Sequence, residues 1–264
     1  MVKRLPLWTI ALVAAALVSP ARAGETKAER WDWQGRVAAG QAIEIKGING
    51  GIEASGSSAE QVVVTAVKKG RRSDPASVEI EVVEHEGGVT ICAVYPSRGG
   101  RANECRPGEG GRMSNQDNDV NVEFRVEVPA GVRFVGRTVN GGITARGIRA
   151  DAEAHTVNGG VDVEAAGTAR AQTVNGGITA RLGRADWTGT LNLKTVNGGI
   201  ELFLPPSAAA DVRAATVNGD IETDFPLTVK GKIGRRRLEG SIGGGGRFLE
   251  LETVNGGIEL RKAR

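Results

Sequence analysis

Cysteine, histidine and aromatic residues are scarce in this chain of 264 residues, which holds two Cys, two His and 4% aromatics. Cys92, Cys105, His85 and His155 are too few and too scattered to supply the clustered ligands that zinc requires. The two cysteines instead predict one disulfide in an oxidising compartment, closing a loop of about 14 residues and contributing on the order of 3 kcal/mol. The shortage of aromatics limits any sugar groove built on stacking, since the repeats described below offer only Trp187, Phe203, Phe225 and Phe248. Apolar residues at i, i+3, i+4 and i+7 are nowhere sustained after residue 24, which excludes substantial helix. Signatures of nucleotide and acyl chemistry are missing too. There is no Gly-x-Ser-x-Gly elbow, no phosphate loop around Lys232 and no dinucleotide pattern in Gly243 to Gly246.

An excess of one charge is also lacking once the first residues are set apart. Lys3 and Arg4, the apolar stretch Leu5 to Val18, and Ala21-Arg22-Ala23 form a secretory leader with a small-x-small cleavage site. The stretch is shorter than the roughly 20 residues of a membrane-spanning helix. No Cys follows it to accept a lipid. Residues 1–23 are therefore expected to be removed, giving a periplasmic or extracellular chain from Gly24. Taking away Lys3, Arg4 and Arg22 lowers the cations from 34 to 31, against 31 acids. That balance gives no reason to expect nucleic acid as a partner. The local cluster Lys230, Lys232, Arg235, Arg236 and Arg237 reads as a solvated turn, with an anion or lipid-headgroup patch as the alternative.

Glycine, by contrast, is abundant at 39 residues, and a hexamer containing it recurs. Thr-Val-Asn-Gly-Gly/Asp-Ile/Val begins at Thr138, Thr156, Thr173, Thr195, Thr216 and Thr253, and Gly47-Ile48-Asn49-Gly50-Gly51-Ile52 is a weaker copy. Its asparagines are Asn49, Asn140, Asn158, Asn175, Asn197, Asn218 and Asn255; from Asn140 onward they are separated by 18, 17, 22, 21 and 37 residues. The last interval is about two units long, with Gly240-Ser241-Ile242-Gly243-Gly244 as a candidate degenerate copy. Flanking residues alternate as half-buried strands do, for example Leu191, Leu193 and Thr195 before one hexamer and Ile200, Leu202 and Leu204 after it.

Two all-β architectures fit. Asn-Gly accepts positive φ and favours hairpins, so the repeats could form an antiparallel meander with Leu193 facing Leu202. Alternatively each unit of 17–22 residues is one coil of a solenoid, with Thr, Asn and Ile stacked on their equivalents at about 4.8 Å. Stacking explains why the same residues recur, and a flat sheet of a dozen strands is disfavoured by twist, so the solenoid is preferred. Six coils would make a rod of roughly 30 Å. Strands are also expected at Gln61–Val67, Val78–Val83, Val89–Tyr95 and Val120–Val128, with a mobile loop from Pro96 to Asn118. The organisation expected is an N-terminal β region over 24–137, containing the first copy and this insertion, then the repeat solenoid over 138–264. Trp31 and Trp33 are placed to cover an open end.

The tandem hexamers between alternating strands resemble a bacterial family of adhesin-type β-strand-repeat domains whose function is not established. The resemblance runs from about residue 43 to 260, less clearly through the insertion. It implies a right-handed β-helix-like solenoid on an exported protein, with some relatives linked to envelope stress, and it brings no catalytic residue. The leading expectation is thus a non-catalytic envelope protein that binds, senses or scaffolds, with an envelope protein or glycan as partner and no cofactor. A carbohydrate-active enzyme is the alternative, using Asp162, Glu164, Glu201, Asp220, Glu222 and Glu259 as aligned acids. A structural spacer is the third. Trp187, in Asp186-Trp187-Thr188-Gly189, is the candidate ligand surface, against a packing role. Asp117, Asp119 and Asn121 share the oxygen spacing of a calcium loop, yet Val122 and Val128 stand where its glycine and terminal acid belong. The repeated asparagines are read as corner-forming.

Overall fold

The structure, a computed structural model, describes residues 26–263 apart from 98, 100, 188 and 230–233. The expected leader, Lys230 and Lys232 lie outside the described residues.

The first strands are β1 (Lys27–Gly35), β2 (Ala42–Lys46), β3 (Ile52–Ser57), β4 (Val62–Gly70), β5 (Glu79–His85), β6 (Gly88–Val94) and β7 (Asn121–Pro129). Next come β8 (Arg133–Arg137), β9 (Ile143–Ile148), β10 (Ala152–His155), β11 (Val161–Ala165), β12 (Ala169–Gln172), β13 (Ile178–Leu182), β14 (Thr190–Lys194) and β15 (Ile200–Leu204). The last are β16 (Ala210–Ala215), β17 (Ile221–Thr223), β18 (Thr228–Val229), β19 (Arg237–Ile242), β20 (Phe248–Glu252) and β21 (Ile258–Lys262).

Each hexamer carries the chain from a strand of one sheet to a strand of the other, so two consecutive strands make one coil. Sheet one runs β1-β4-β7-β3-β9-β11-β13-β15-β21-β17, and sheet two runs β18-β19-β16-β20-β14-β12-β10-β8-β2-β6-β5. Alternate residues of both sheets point inward, among them Ile178, Ala180 and Leu182 from one and Ala169 and Ala171 from the other. The fold is therefore the solenoid. Leu193 pairs with Ala171 and Leu251, not with Leu202 as a meander requires.

The corner explains the hexamer. Thr is buried and its hydroxyl donates to the first-glycine carbonyl of the neighbouring coil, as from Thr173 to Gly159 (2.9 Å) and from Thr195 to Gly176 (2.8 Å). Asn amides form a continuous ladder that starts at Asn49 Oδ1, and the Nδ2 of each other Asn donates to a neighbouring Oδ1 at 2.7–2.9 Å. The backbone is laddered as well, with Asn175 N–H on Val157 O at 2.7 Å and Gly176 N–H on Asn197 O at 2.9 Å. The positive φ that a hairpin about Asn-Gly would use is not found at Asn, because Asp117 is the one non-glycine with positive φ among the described residues. The first glycine is needed for space: a Cβ on Gly176 would lie 2.0 Å from Gly159 O.

Coil order departs from sequence order at both ends. The asparagine ladder reads 49, 140, 158, 175, 197, 255, 218, so the coil of β20 and β21 lies between those of β14–β15 and β16–β17. At the other end, β6 and β7 stack outside β2 and β3 although they follow them. The region after residue 60 therefore supplies a further coil as well as end strands, giving eight coils over about 40 Å instead of the six expected. No break in the core falls at residue 137, because β2 pairs with β8 and β3 with β9. Gly240-Ser241-Ile242 forms no coil. It belongs to β19, which runs antiparallel to β16 and ends sheet two together with β18. β1 and β4 end sheet one antiparallel, with Trp31 and Trp33 packed on the core.

Candidate functional site

The acids proposed for catalysis lie on the outer face of sheet one, where strand alternation puts them. Asp162 accepts from Arg146 (2.8 Å) on one side and Arg181 (2.9 Å) on the other. Glu201, Glu259 and Glu222 occupy one register row. Arg261 binds Glu259 (2.8 Å), Glu222 (2.9 Å) and Asp224 (3.2 Å). These bonds, that to Glu259 foremost, raise the Arg261 guanidinium above its usual value. Asp224 is held below the usual carboxylate range by the Lys262 N–H and then by Arg261. Carboxylates fixed by arginines in this way suit cross-coil pairing better than proton exchange with a substrate. Glu164 is exposed on the same face, whereas Asp220 is exposed at a corner, in the place of the second glycine.

Sheet two carries a groove of about 310 Å³ on its outer face, bordered by the turns at 151, 167 and 184–187. The sheet opens here: β12 and β14 pair only through Ala171–Leu193 and Gln172–Lys194, whereas β14 and β20 pair along five residues. Trp187 stands at this opening. The residue is 5% exposed and its indole N–H donates to Phe248 O at 3.1 Å. The ring faces are thus used in packing, which corrects the expectation of a stacking platform. Arg133, Arg170 and Arg184 line the groove with Asp151, Glu153 and Asp186. Those acids have partners already. Asp151 accepts the Thr168 N–H at 2.7 Å, Asp186 pairs with Arg184 at 3.4 Å, and Glu153 pairs with Arg137 at 2.8 Å and His155 at 2.6 Å. The bond from His155 comes first in holding Glu153 below its ordinary value, against the effect of burial. Arg133, anchored through Nε to Gly40 O at 3.0 Å, and Arg170 are both exposed and border the groove with guanidinium donors.

Next to the groove a charged cluster is covered by residues 106–110. Lys46 Nζ donates to the carbonyls of Arg106, Gly108 and Gly110, each at 2.9 Å. Glu44 accepts from Thr90, from the Gly108 N–H and from Arg137. Glu44 and Lys46 are 5% and 7% exposed, and burial pushes the Lys46 ammonium down from its ordinary value. The disulfide Cys92–Cys105 fastens the segment to β6. From residue 101 to 118 the expected mobile loop is therefore a bonded cover, reinforced by Asn103, which donates to Tyr95 O and Ser114 O. Asp119 of the calcium-like run accepts the backbone N–H of Ser73 and, less strongly, that of Arg72, which hold it below the usual carboxylate range.

At the corner edge the asparagine ladder is flanked by exposed Val139, Val157, Val174, Val217 and Val254. The repeated asparagines thus build the corner. Arg133, Arg170, Arg184 and the Glu44–Lys46 pair escaped the sequence reading. The signal for the arginines was their place at outward, copy-variable positions. Nothing local marked the pair, since its cover comes from some sixty residues downstream.

The family model described as Toastrack DUF4097 matches residues 21–261. No curated protein matches the chain. Among solved structures, a protein from Clostridium sporogenes named for cell adhesion is 12% identical, with 90% of this chain and 100% of that one covered at a TM-score of 0.47. An adhesin-named protein from Bacteroides fragilis is 11% identical, with coverages of 92% and 99% and a TM-score of 0.36. A protein from Parabacteroides distasonis named for lipid binding is 10% identical, with coverages of 91% and 98% and a TM-score of 0.26.

Proposed function

Because the chain belongs to the Toastrack DUF4097 family, we propose that it is an exported, non-catalytic binding module of the cell envelope. Its ligand, in this reading, is the anionic group of an envelope glycan held in the sheet-two groove. The carrying observation is that every acid lining the groove is already bonded while Arg133 and Arg170 border it with exposed guanidinium groups. Guanidinium forks match carboxylate and phosphate geometry, and an exposed site of this kind weakens with salt. The leader-like start and the disulfide support export. On sheet one the arginine-bound acids favour a structural role over glycoside hydrolysis.

Calorimetric titration of the mature chain with a uronate oligosaccharide at low salt tests this. Arg133→Gln with Arg170→Gln is expected to weaken binding at least about tenfold, as loss of charged hydrogen bonds implies. Arg125→Gln, which removes an exposed pair with Glu53 on the other sheet, should leave it unchanged. Absence of binding, or equal binding by all variants, would reject the groove and favour a spacer. Cleavage of the oligosaccharide that disappears with Asp162→Asn or Glu201→Gln would reject the non-catalytic reading.

A further inference from the structure

The coil of β20 and β21 fills a slot that its own chain leaves open. β14 and β16 do not pair with each other, nor do β15 and β17; each meets its neighbour only through the inserted coil. β20 makes parallel ladders of five residues on both sides, to Thr190–Lys194 and to Asp211–Ala215. Leu249, Leu251, Ile258 and Leu260 bury completely or nearly so within it. Asn255 bridges Asn197 and Asn218 in the amide ladder. The coil is joined to β19 by Gly243, Gly244, Gly245 and Gly246, all at positive φ, and Gly244 and Gly246 face open space. Such a linker passes from one side of β16 to the other and has little conformational preference of its own.

From this we propose that the 248–262 coil is an exchangeable segment, and that the slot accepts it from a second copy of the chain. The slot demands two apolar strands joined by an Asn-Gly corner in parallel register on both faces. A second copy carries that segment identically, so the strand pairing and the amide ladder are the same for own and donated coil, while the hinge bond from Gly245 N–H to Ile242 O at 3.0 Å belongs to the closed chain. Exchange of an identical element through a hinge is a low-cost route to dimers. Concentration decides between closure and exchange, because the linker supplies only an effective concentration.

Shortening the hinge tests the proposal. The linker must cross two strand spacings, roughly 10 Å, while arching over the start of β16. Deleting Gly244–Gly246 leaves two residues, whose full reach is about the same 10 Å with no room to arch. The deletion variant is expected to become a dimer by light scattering, with strand content retained. A folded monomer would overturn the proposal. Should the variant fail to fold, co-refolding of two otherwise intact chains decides. One carries Asn197→Cys and the other Asn255→Cys, with the native disulfide kept. After oxidation a covalent heterodimer is expected, its share rising with protein concentration. Its absence at high concentration, when each chain alone refolds, contradicts exchange.

Discussion

Gly176→Ala is expected to unfold the middle of the solenoid, whereas Gly177→Ala, one residue on, is expected to be tolerated. The new methyl at Gly176 would sit 2.0 Å from Gly159 O and 2.5 Å from its carbonyl carbon. Neither backbone can retreat, since Asn175 and Gly176 are each bonded to an adjacent coil. A clash between two backbones is worse than ordinary overpacking, and a loss on the order of 4 kcal/mol or more follows. At Gly177 the nearest oxygen, Gly199 O, is 3.5 Å away, an ordinary contact. There the change should stay within about 1 kcal/mol, with some gain from the stiffer unfolded chain. Urea denaturation of both variants checks the contrast; equal midpoints would mean that the coils are not packed in this way.

Lys46→Met should release the disulfide-bound cover and destabilise the N-terminal coils by about 3 kcal/mol, as breaking a buried charged network does. Three carbonyls lose their common donor, and Glu44 remains buried with Arg137 as its ion-pair partner. Methionine matches the stem of lysine closely enough that the loss reports the ammonium and not the packing. Limited proteolysis should then cut within 106–110 at least several-fold faster, with the disulfide intact. Unchanged cutting and stability would show that the three carbonyl bonds contribute nothing.

Much of this fold was legible because the hexamer repeats a complete set of corner functions. Thr, Asn, the first Gly and the final Ile or Val each have one job that stacking explains, and Cys92 and Cys105 had only each other. The alternation around Leu193 gave strands but not partners. Coil order was hidden for a physical reason: when every coil offers the same corner, any order satisfies the same hydrogen bonds. What places Asn255 beside Asn197 is the long stretch from Pro205 to Gly246, which builds β16 to β19 before the chain turns back. The groove was hidden similarly. Trp187 looked like a ligand surface in isolation, but its indole finds Phe248 O across some sixty residues. In Ile43-Glu44-Ile45-Lys46 apolar and charged residues alternate as on a half-exposed strand, and only the distant cover buries the charges.

The most direct test of the central claim, that the last coil is inserted between the two before it, is a pair of engineered disulfides in dilute protein. Neighbouring coils lie about 4.8 Å apart, inside the Cα separation a disulfide accepts, while coils two steps apart lie at nearly 10 Å, outside it. Asn197→Cys with Asn255→Cys should oxidise readily within one chain, and Asn197→Cys with Asn218→Cys should not. The opposite outcome, bonding of 197 to 218 and none of 197 to 255, would mean that the coils stack in sequence order and would contradict the account.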